Sequence, residues 1–361
     1  MKRTTAILCL YDTVSPSDKP VMLHDVLFCP ILTWVCRELS ALNVQRFFVV
    51  CDKKWHNAVL AAAPEDTKVF SKESDAVKAA KGEVIVVPSP VVPIASFAGS
   101  TVYAADAGDL NKKNLSEAPE KAKREIDWMP IRGMKELQRA GSLCRELLNA
   151  QWMSRGVTIV DGANTYIDPR CRIAAGTTLL PGTILRGETV IGADCEIGPN
   201  TMIRDCAIGD GCTINSSQLG DSKIDRGTTV GPFAYIRPGC TVGSECRIGD
   251  FVELKNSHIG DGTKVSHLTY VGDSDVGSHV NFGCGTVTTN YDGKKKYRCT
   301  IGDNVFLGCN TNLVAPVTVE SGAYTAAGST ITEDVPADAL AVARAHQTVK
   351  PHWAEKFRKK K

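Results

Sequence analysis

The sequence predicts a small α/β domain with a parallel sheet, followed by a long parallel β-helix of hexapeptide repeats. Three observations carry this. Strand-like apolar runs alternate with helical patterns through residues 1–125, an aliphatic residue recurs at every sixth position from Ile167 onward, and a small residue stands two places before most of those aliphatics. Alternating strands and helices make β-α-β units, whereas a fixed six-residue period makes coils that stack on one another.

In the first part, "TTAILCL", "RFFVVCD", "TKVFS" and "GEVIVVPSP" read as strands, and the stretches near 30–43, 55–63 and 73–81 read as helices between them. That order gives a parallel sheet. A helical pattern near 132–153 then carries the chain onward. The expected division is a domain at 1–125, a helical linker at 126–156, the β-helix at 157–338 and a C-terminal tail at 339–361.

The repeat runs through Ile167, Ile173, Leu179, Leu185, Ile191, Ile197 and Ile203, shortens locally to five, and resumes through Val230, Ile236, Val242, Ile248 and Leu254. Val265 and Val271 follow, then Ile301, Leu307, Leu313 and Val319 after an interruption. Thr177, Thr183, Thr189, Thr201, Thr228, Ala234, Thr263, Thr269 and Thr311 fill the small slot. This means short strands with the aliphatic inside and tight corners where little room is left. Cys171, Cys195, Cys212, Cys240, Cys246 and Cys299 also fall in the small slot, where cysteine serves as a compact hydrophobe rather than a metal ligand. The polar, basic segment "TTNYDGKKKYRC", residues 288–299, breaks the period and is expected to project as a loop on a binding face.

With 361 residues, 43% apolar content and a net charge of +2, the chain reads as a soluble globular protein with no general electrostatic case for nucleic acid or an anionic membrane. The terminal "RKKK" reads as a short solvated tail. The apolar patch near the N-terminus ends at Asp12, too soon for a signal peptide, and no later stretch approaches a membrane span, so the expected compartment is the cytoplasm. Fourteen cysteines in such a chain are expected to be thiols.

Three hexads close a coil of about 18 residues, and coils stack at about 4.8 Å, so the period also says which outward residues meet. Arg237 and Lys255 follow Ile236 and Leu254 and lie one above the other. Two stacked cations repel unless an anion sits between them, and a phosphate suits the pair. A five-residue step then puts Glu253 beneath Tyr270, and His267 in a column with Asp250 below and Cys284 above. The repeat does not require a histidine there. With a reference pKa near ~6.5, an imidazole among such neighbours is a candidate general base.

The stretches "GPFAYIRPG", "GDFVELKNSHIG", "SHLTYVGD", "VNFGCGTVTTNYDG", "VFLGCNTNLVAPVTV", "AAGSTIT" and "ALAVAR" resemble the acetyltransferase half of the GlmU family, in order from about residue 131 to 350. That family joins glucosamine-1-phosphate N-acetyltransferase to N-acetylglucosamine-1-phosphate uridylyltransferase. The resemblance implies a left-handed β-helix, a homotrimer with acetyl-CoA bound between subunits, and no metal for acetyl transfer. It places the catalytic base on His267 with Glu253 close by, and the sugar-phosphate ligands on Arg237, Lys255, Tyr270 and Asn281. Asn290 and Tyr291 fall at the junction of acetyl-CoA and amino sugar. Cys284, Lys296, Cys309, Ala327 and Arg344 fall on CoA contacts, although the family commonly has a small residue and a serine where Cys284 and Cys309 stand. The implied product, N-acetylglucosamine 1-phosphate, feeds UDP-N-acetylglucosamine and cell-envelope synthesis.

The first domain resembles a truncated, degenerate nucleotidyltransferase. "SDKPVMLHDVLFCPILTWV" is similar to the family segment after its nucleotide loop, but the loop itself, of the form L-x-A-G-x-G-T-R-M, is replaced by "CLYDTVSPS", and a family lysine by Val21. Without free amides and cations, phosphate binding has no evident source. The expectation is that uridylyl transfer, with its magnesium, is lost and that a separate uridylyltransferase acts downstream. Three other readings stand beside this one. They are acetylation of another amino sugar or nucleotide sugar, a non-catalytic scaffold or regulator, and a zinc site of the γ-carbonic-anhydrase type on His258, His267 and His279.

Overall fold

The computed structural model describes residues 4–13, 17–95, 102–112 and 114–358. Residues 14–16 of the altered nucleotide loop and the three final lysines lie outside them. The chain divides into two compact units, residues 1–172 with 181–188, and residues 173–180 with 189–361.

The first unit is built on a six-stranded sheet. In chain order its strands are β1 (Thr4–Cys9), β2 (Val44–Val50), β3 (Lys68–Phe70), β4 (Glu83–Val87), β5 (Val102–Asp106) and β6 (Arg124–Ile126), arranged β3-β2-β1-β4-β5-β6. Helices α1 (Ile31–Ala41), α2 (His56–Ala62) and α3 (Glu73–Ala79) connect the first four, which run parallel as the strand-helix alternation requires. The two-residue period of a strand sorts the core. Ala6, Leu8, Phe47, Val49 and Ile85 pack with α1, α2 and the long helix α4 (Met134–Ser154), while Ile7, Cys9, Phe48, Val50 and Val86 pack with Ala76 and Val77 of α3.

The parallel sheet expected from the sequence is extended at one edge by two antiparallel strands. β5 and β6 are antiparallel, with Ile85 opposite Ala104 and Tyr103 opposite Glu125. Their sequences, VYAAD and REI, are short, and the first carries two alanines, a weak strand former, so they gave little signal.

The second unit is a parallel β-helix. One face carries the ladder Glu196, Thr213, Thr229, Arg247, Lys264, Asn281, Phe306, Tyr324. A second carries Gln218, Tyr235, Glu253, Tyr270, Val287, Asn312, Thr330. The third carries Ala207, Lys223, Thr241, His258, Asp275, Thr300, Thr318. The aliphatics of the period are buried along the axis, as are the small-slot residues. Threonine recurs in that slot because its hydroxyl joins coils. Thr228 Oγ1 donates to Gly243 O at 2.7 Å and accepts from Cys246 N at 3.0 Å, and Thr263 repeats the pattern with Gly277 O and Val280 N. These bonds satisfy corner backbone groups that would otherwise be buried and unpaired.

The expected loop at 288–299 is shorter: Thr288 and Thr289 end one strand and Cys299 begins the next, so the loop spans 290–298 and is closed by an antiparallel bridge between Tyr291 and Lys296. Among the described residues no helix is long and apolar enough to cross a membrane.

Candidate active site

The first and second faces of the β-helix meet at an edge formed by the bends of two nine-residue strands, Arg247–Lys255 and Lys264–Gly272. Phe251 and Leu268 turn that edge at φ 55° and 39°, a left-handed conformation uncommon for residues other than glycine. His267 immediately precedes Leu268. It pairs in register with Asp250 of the coil beneath, and its Nδ1 lies 2.9 Å from Asp250 Oδ1. The carboxylate assigns the ring proton to Nδ1 and leaves the Nε2 lone pair free on an exposed side chain. In return the hydrogen bond from His267 holds Asp250 below the usual carboxylate range.

Beside the edge, on the second face, stands an ionic network. Arg237 Nη1 donates to Glu253 Oε1 at 2.8 Å, and that bond raises the arginine further. Lys255 Nζ lies 3.1 Å from Asp273 Oδ2, Asn256 Nδ2 donates to Asp273 Oδ1 at 2.6 Å, and Asn290 Nδ2 donates to Asp273 Oδ2 and to Tyr270 Oη, the latter at 3.4 Å. Asp273 is only 5% exposed. Burial pushes its carboxyl up, but hydrogen bonds from Asn256, Lys255 and Asn290 outweigh burial and hold it below the usual range.

The loop brings Lys296 against Lys255. The hydrogen bond from Lys255 and that neighbour's charge hold Lys296 below the ordinary lysine range, with Arg237 adding to the effect. Lys255 is raised, through its hydrogen bond with Lys296 and through Asp273. Three cations thus share one small region, two of them already paired with carboxylates.

The structure brings together Arg237, Glu253, Lys255, Tyr270, Asn290 and Lys296 in this network, with His267 on the adjoining edge. Glu253 serves Arg237, while the carboxylate at His267 is Asp250. Lys296, expected beside CoA, stands next to Lys255. Asn281 lies across the edge on the first face, between Lys264 and Phe306, because it precedes the bend of its coil whereas Tyr270 follows the bend of the coil beneath. Cys284, Cys309 and Ala327 continue up the edge above His267: Gly285 N donates to Leu268 O, Asn310 N to Cys284 O and Gly328 N to Cys309 O. Arg344 reaches the same edge, its Cδ 3.8 Å from where a side chain on Gly328 would begin. Tyr291 is exposed on the loop, its hydroxyl donating to Gly293 O at 2.7 Å.

Asp273 is the residue that sequence reasoning missed. Its signal was its place one coil above Asn256 and one below Asn290, a polar column at a corner. The histidines named for a zinc site lie apart: His258 is on the third face beside Thr241, and His279 sits at another corner, with φ 57°.

The bacterial transferase hexapeptide (six repeats) family matches residues 221–256 and 298–333. The chain is 49% identical over 225 residues to the bifunctional protein GlmU of Brevibacillus brevis, covering 62% of this chain and 49% of that protein. With the bifunctional protein GlmU of Clostridium tetani it shares 48% identity over 254 residues, 70% of this chain and 56% of that one. The chain therefore spans about half the length of the curated relatives it matches. Among solved structures, LpxA from Acinetobacter baumannii aligns over 52% of this chain and 71% of its own, with 21% identity and a TM-score of 0.35.

Proposed function

From the premise that the chain is a relative of the GlmU family with a shortened N-terminal part, we propose that it is an acyltransferase that moves the acetyl group of acetyl-CoA to the 2-amino group of glucosamine 1-phosphate. The observation that carries this is the gathering of Arg237, Lys255 and Lys296 beside a histidine whose Nδ1 is held by a carboxylate. Clustered cations, one of them held below its ordinary range by its neighbour, suit a dianionic ligand, and the phosphate of an amino-sugar phosphate supplies it. Lys255 spends one of its three protons on Asp273 and one on Lys296, and Arg237 one of its five on Glu253, so donors remain for phosphate oxygens.

In the reaction the amino nitrogen attacks the thioester carbonyl, His267 Nε2 takes the proton that nitrogen loses, and CoA departs as its thiol once the tetrahedral intermediate collapses. Asp250 fixes the imidazole and stabilises its protonated form. Tyr270 and Asn290 flank the sugar, while Cys284, Cys309, Ala327 and Arg344, along the same edge, take the acyl donor. Asn281 and Tyr291 complete the acceptor side.

An edge is convex and cannot by itself enclose a substrate. Phe233 and Phe251 stack at 5.6 Å along it, and both they and Leu268 are exposed. An apolar ridge next to a candidate base is suited to burial against a second copy, which supports a homotrimer with each site between two chains.

In the first unit a cleft of about 330 Å³ opens beyond the C-terminal ends of β1 and β4, lined by Asp12, Thr13, Val21, Ser89, Pro90 and Arg132 among others. That is the usual ligand position in such a sheet. With one acid, one arginine and no glycine among its described lining, it suits a triphosphate poorly, in keeping with lost uridylyl transfer. The test of the whole reading is release of free CoA when purified protein meets acetyl-CoA and glucosamine 1-phosphate. No release above the rate without the sugar would refute it.

A further inference from the structure

We propose that Cys284 and Cys309 form a reversible dithiol–disulfide pair across two adjacent coils, directly above His267. Of the fourteen cysteines, twelve are buried and only these two are exposed. They are also neighbours. Phe282 and Leu307 pair in register two residues earlier, and Asn310 N donates to Cys284 O at 2.8 Å one residue later. Two residues in register on adjacent coils have Cα atoms about 4.8 Å apart, inside the roughly 4.4–6.8 Å span that a disulfide bridges. The coils touch closely at this point, since a side chain on Gly283 would meet Cys309 N at 2.4 Å. Both side chains face solvent, so each is free to rotate toward the other.

The other stacked pair in the helix sharpens the case. Cys195 and Cys212 are also in register, and hydrogen bonding from Cys212 lowers the Cys195 thiol below the ordinary range, yet both are buried. A dissolved oxidant reaches only the pair at the edge. Burial pushes Cys299, on the third face, up to about 11 and keeps it a thiol.

The oxidant is a low-molecular-weight disulfide. One thiolate of the pair attacks a reagent sulfur, forming a mixed disulfide and expelling one reagent thiolate. The second thiolate then attacks the protein sulfur of that mixed disulfide, forming the Cys284–Cys309 bond and expelling the other reagent thiolate. The two cysteines are oxidised, the reagent is reduced to two thiols, and the two protons lost by the cysteines go to the departing thiolates. Added dithiol reverses both steps. The consequence for activity rests on the reading above, in which the edge at Cys284 and Cys309 takes the acyl donor. Drawing the two sulfurs together reshapes that edge and weakens acetyl-CoA binding.

The test treats the full-length protein with glutathione disulfide and reads intact mass and peptide linkage, before and after dithiothreitol. The expected result is loss of two hydrogens with Cys284 and Cys309 linked, restored on reduction. Cys284→Ala and Cys309→Ala should instead stop at a single glutathione adduct. Stable glutathione adducts on both cysteines of the wild type, or a Cys195–Cys212 link in their place, would overturn the pair. The KM for acetyl-CoA is then compared for oxidised and reduced wild type, with a several-fold rise expected on oxidation. An unchanged KM with the bond formed would overturn the regulatory role. If reduced protein transfers no acetyl group at all, the proposed function fails, while the mass readout still decides the thiol pair.

Discussion

Asp250 Oδ1 and His267 Nδ1 lie 2.9 Å apart on successive coils, so the carboxylate points at one ring nitrogen and the other is turned to solvent at a convex edge. His267→Ala is expected to lower kcat by roughly 10² to 10⁴, the range of a general base, with thermal stability nearly unchanged because the side chain fills no core space. Asp250→Asn should lower kcat less and leave KM for both substrates close to wild type, since it acts through the imidazole. Steady-state kinetics on the two variants check both. Activity within a few-fold of wild type for His267→Ala would remove it from the mechanism.

Asp273 supplies a second expectation, on stability. Its carboxylate answers Lys255, Asn256 and Asn290 in a nearly closed environment, so Asp273→Ala should cost about 3 kcal/mol by orphaning those donors. The pH dependence has a definite sign. The folded-state pKa is depressed below 3.8, so the contribution is complete above that value and is lost as pH falls through the folded pKa. Melting temperatures of wild type and Asp273→Asn should therefore differ most above about pH 4 and converge below it. A gap that stayed constant to low pH would mean the carboxylate is not what stabilises this corner.

Arg237→Ala and Lys255→Ala should each raise KM for glucosamine 1-phosphate by the equivalent of about 1.5 to 3 kcal/mol, the worth of a charged hydrogen bond, and leave KM for acetyl-CoA alone. Lys296→Ala should act in the same direction, because Lys296 stands against Lys255. An equal effect on both substrates would separate these cations from the sugar phosphate.

The protein with UTP, magnesium and N-acetylglucosamine 1-phosphate should form no UDP-N-acetylglucosamine above background, and UTP should not raise its melting temperature. A nucleotidyl transition state needs donors and cations aimed at phosphate oxygens. The cleft at β1 and β4 offers Arg132 alone among its described lining. Turnover with UTP comparable to acetyl transfer would show that this domain binds phosphate by other means.

Much of this was legible in the sequence because a six-residue period converts directly into geometry. The stacks Asp250–His267, Glu253–Tyr270 and Ile236–Leu254 all follow from counting hexads and one five-residue step, and each holds in register. Counting fixes backbone neighbours, not what side chains reach. Arg237 follows Ile236 and sits under Lys255 in the stack, yet it turns to Glu253, and Lys255 turns to Asp273. Asp273 itself went unseen because it is satisfied by three donors from two segments, Lys255 and Asn256 on the coil beneath and Asn290 in the loop. The nearness of Lys296 to Lys255 went unseen for a related reason: a loop has no period, so nothing in the sequence says where its tip lands. The antiparallel strands β5 and β6 escaped because their short sequences have too little alternation to mark a strand.

The central claim is tested most directly by the acceptor preference of acetyl transfer. Purified protein is given acetyl-CoA with glucosamine 1-phosphate, glucosamine 6-phosphate or UDP-glucosamine in turn, CoA release is followed, and the acetylated product is identified by mass. The account expects the highest kcat/KM with glucosamine 1-phosphate, a product carrying one acetyl group on nitrogen, and loss of turnover in His267→Ala. CoA release that is absent with all three acceptors, or fastest with UDP-glucosamine or the 6-phosphate, would contradict it.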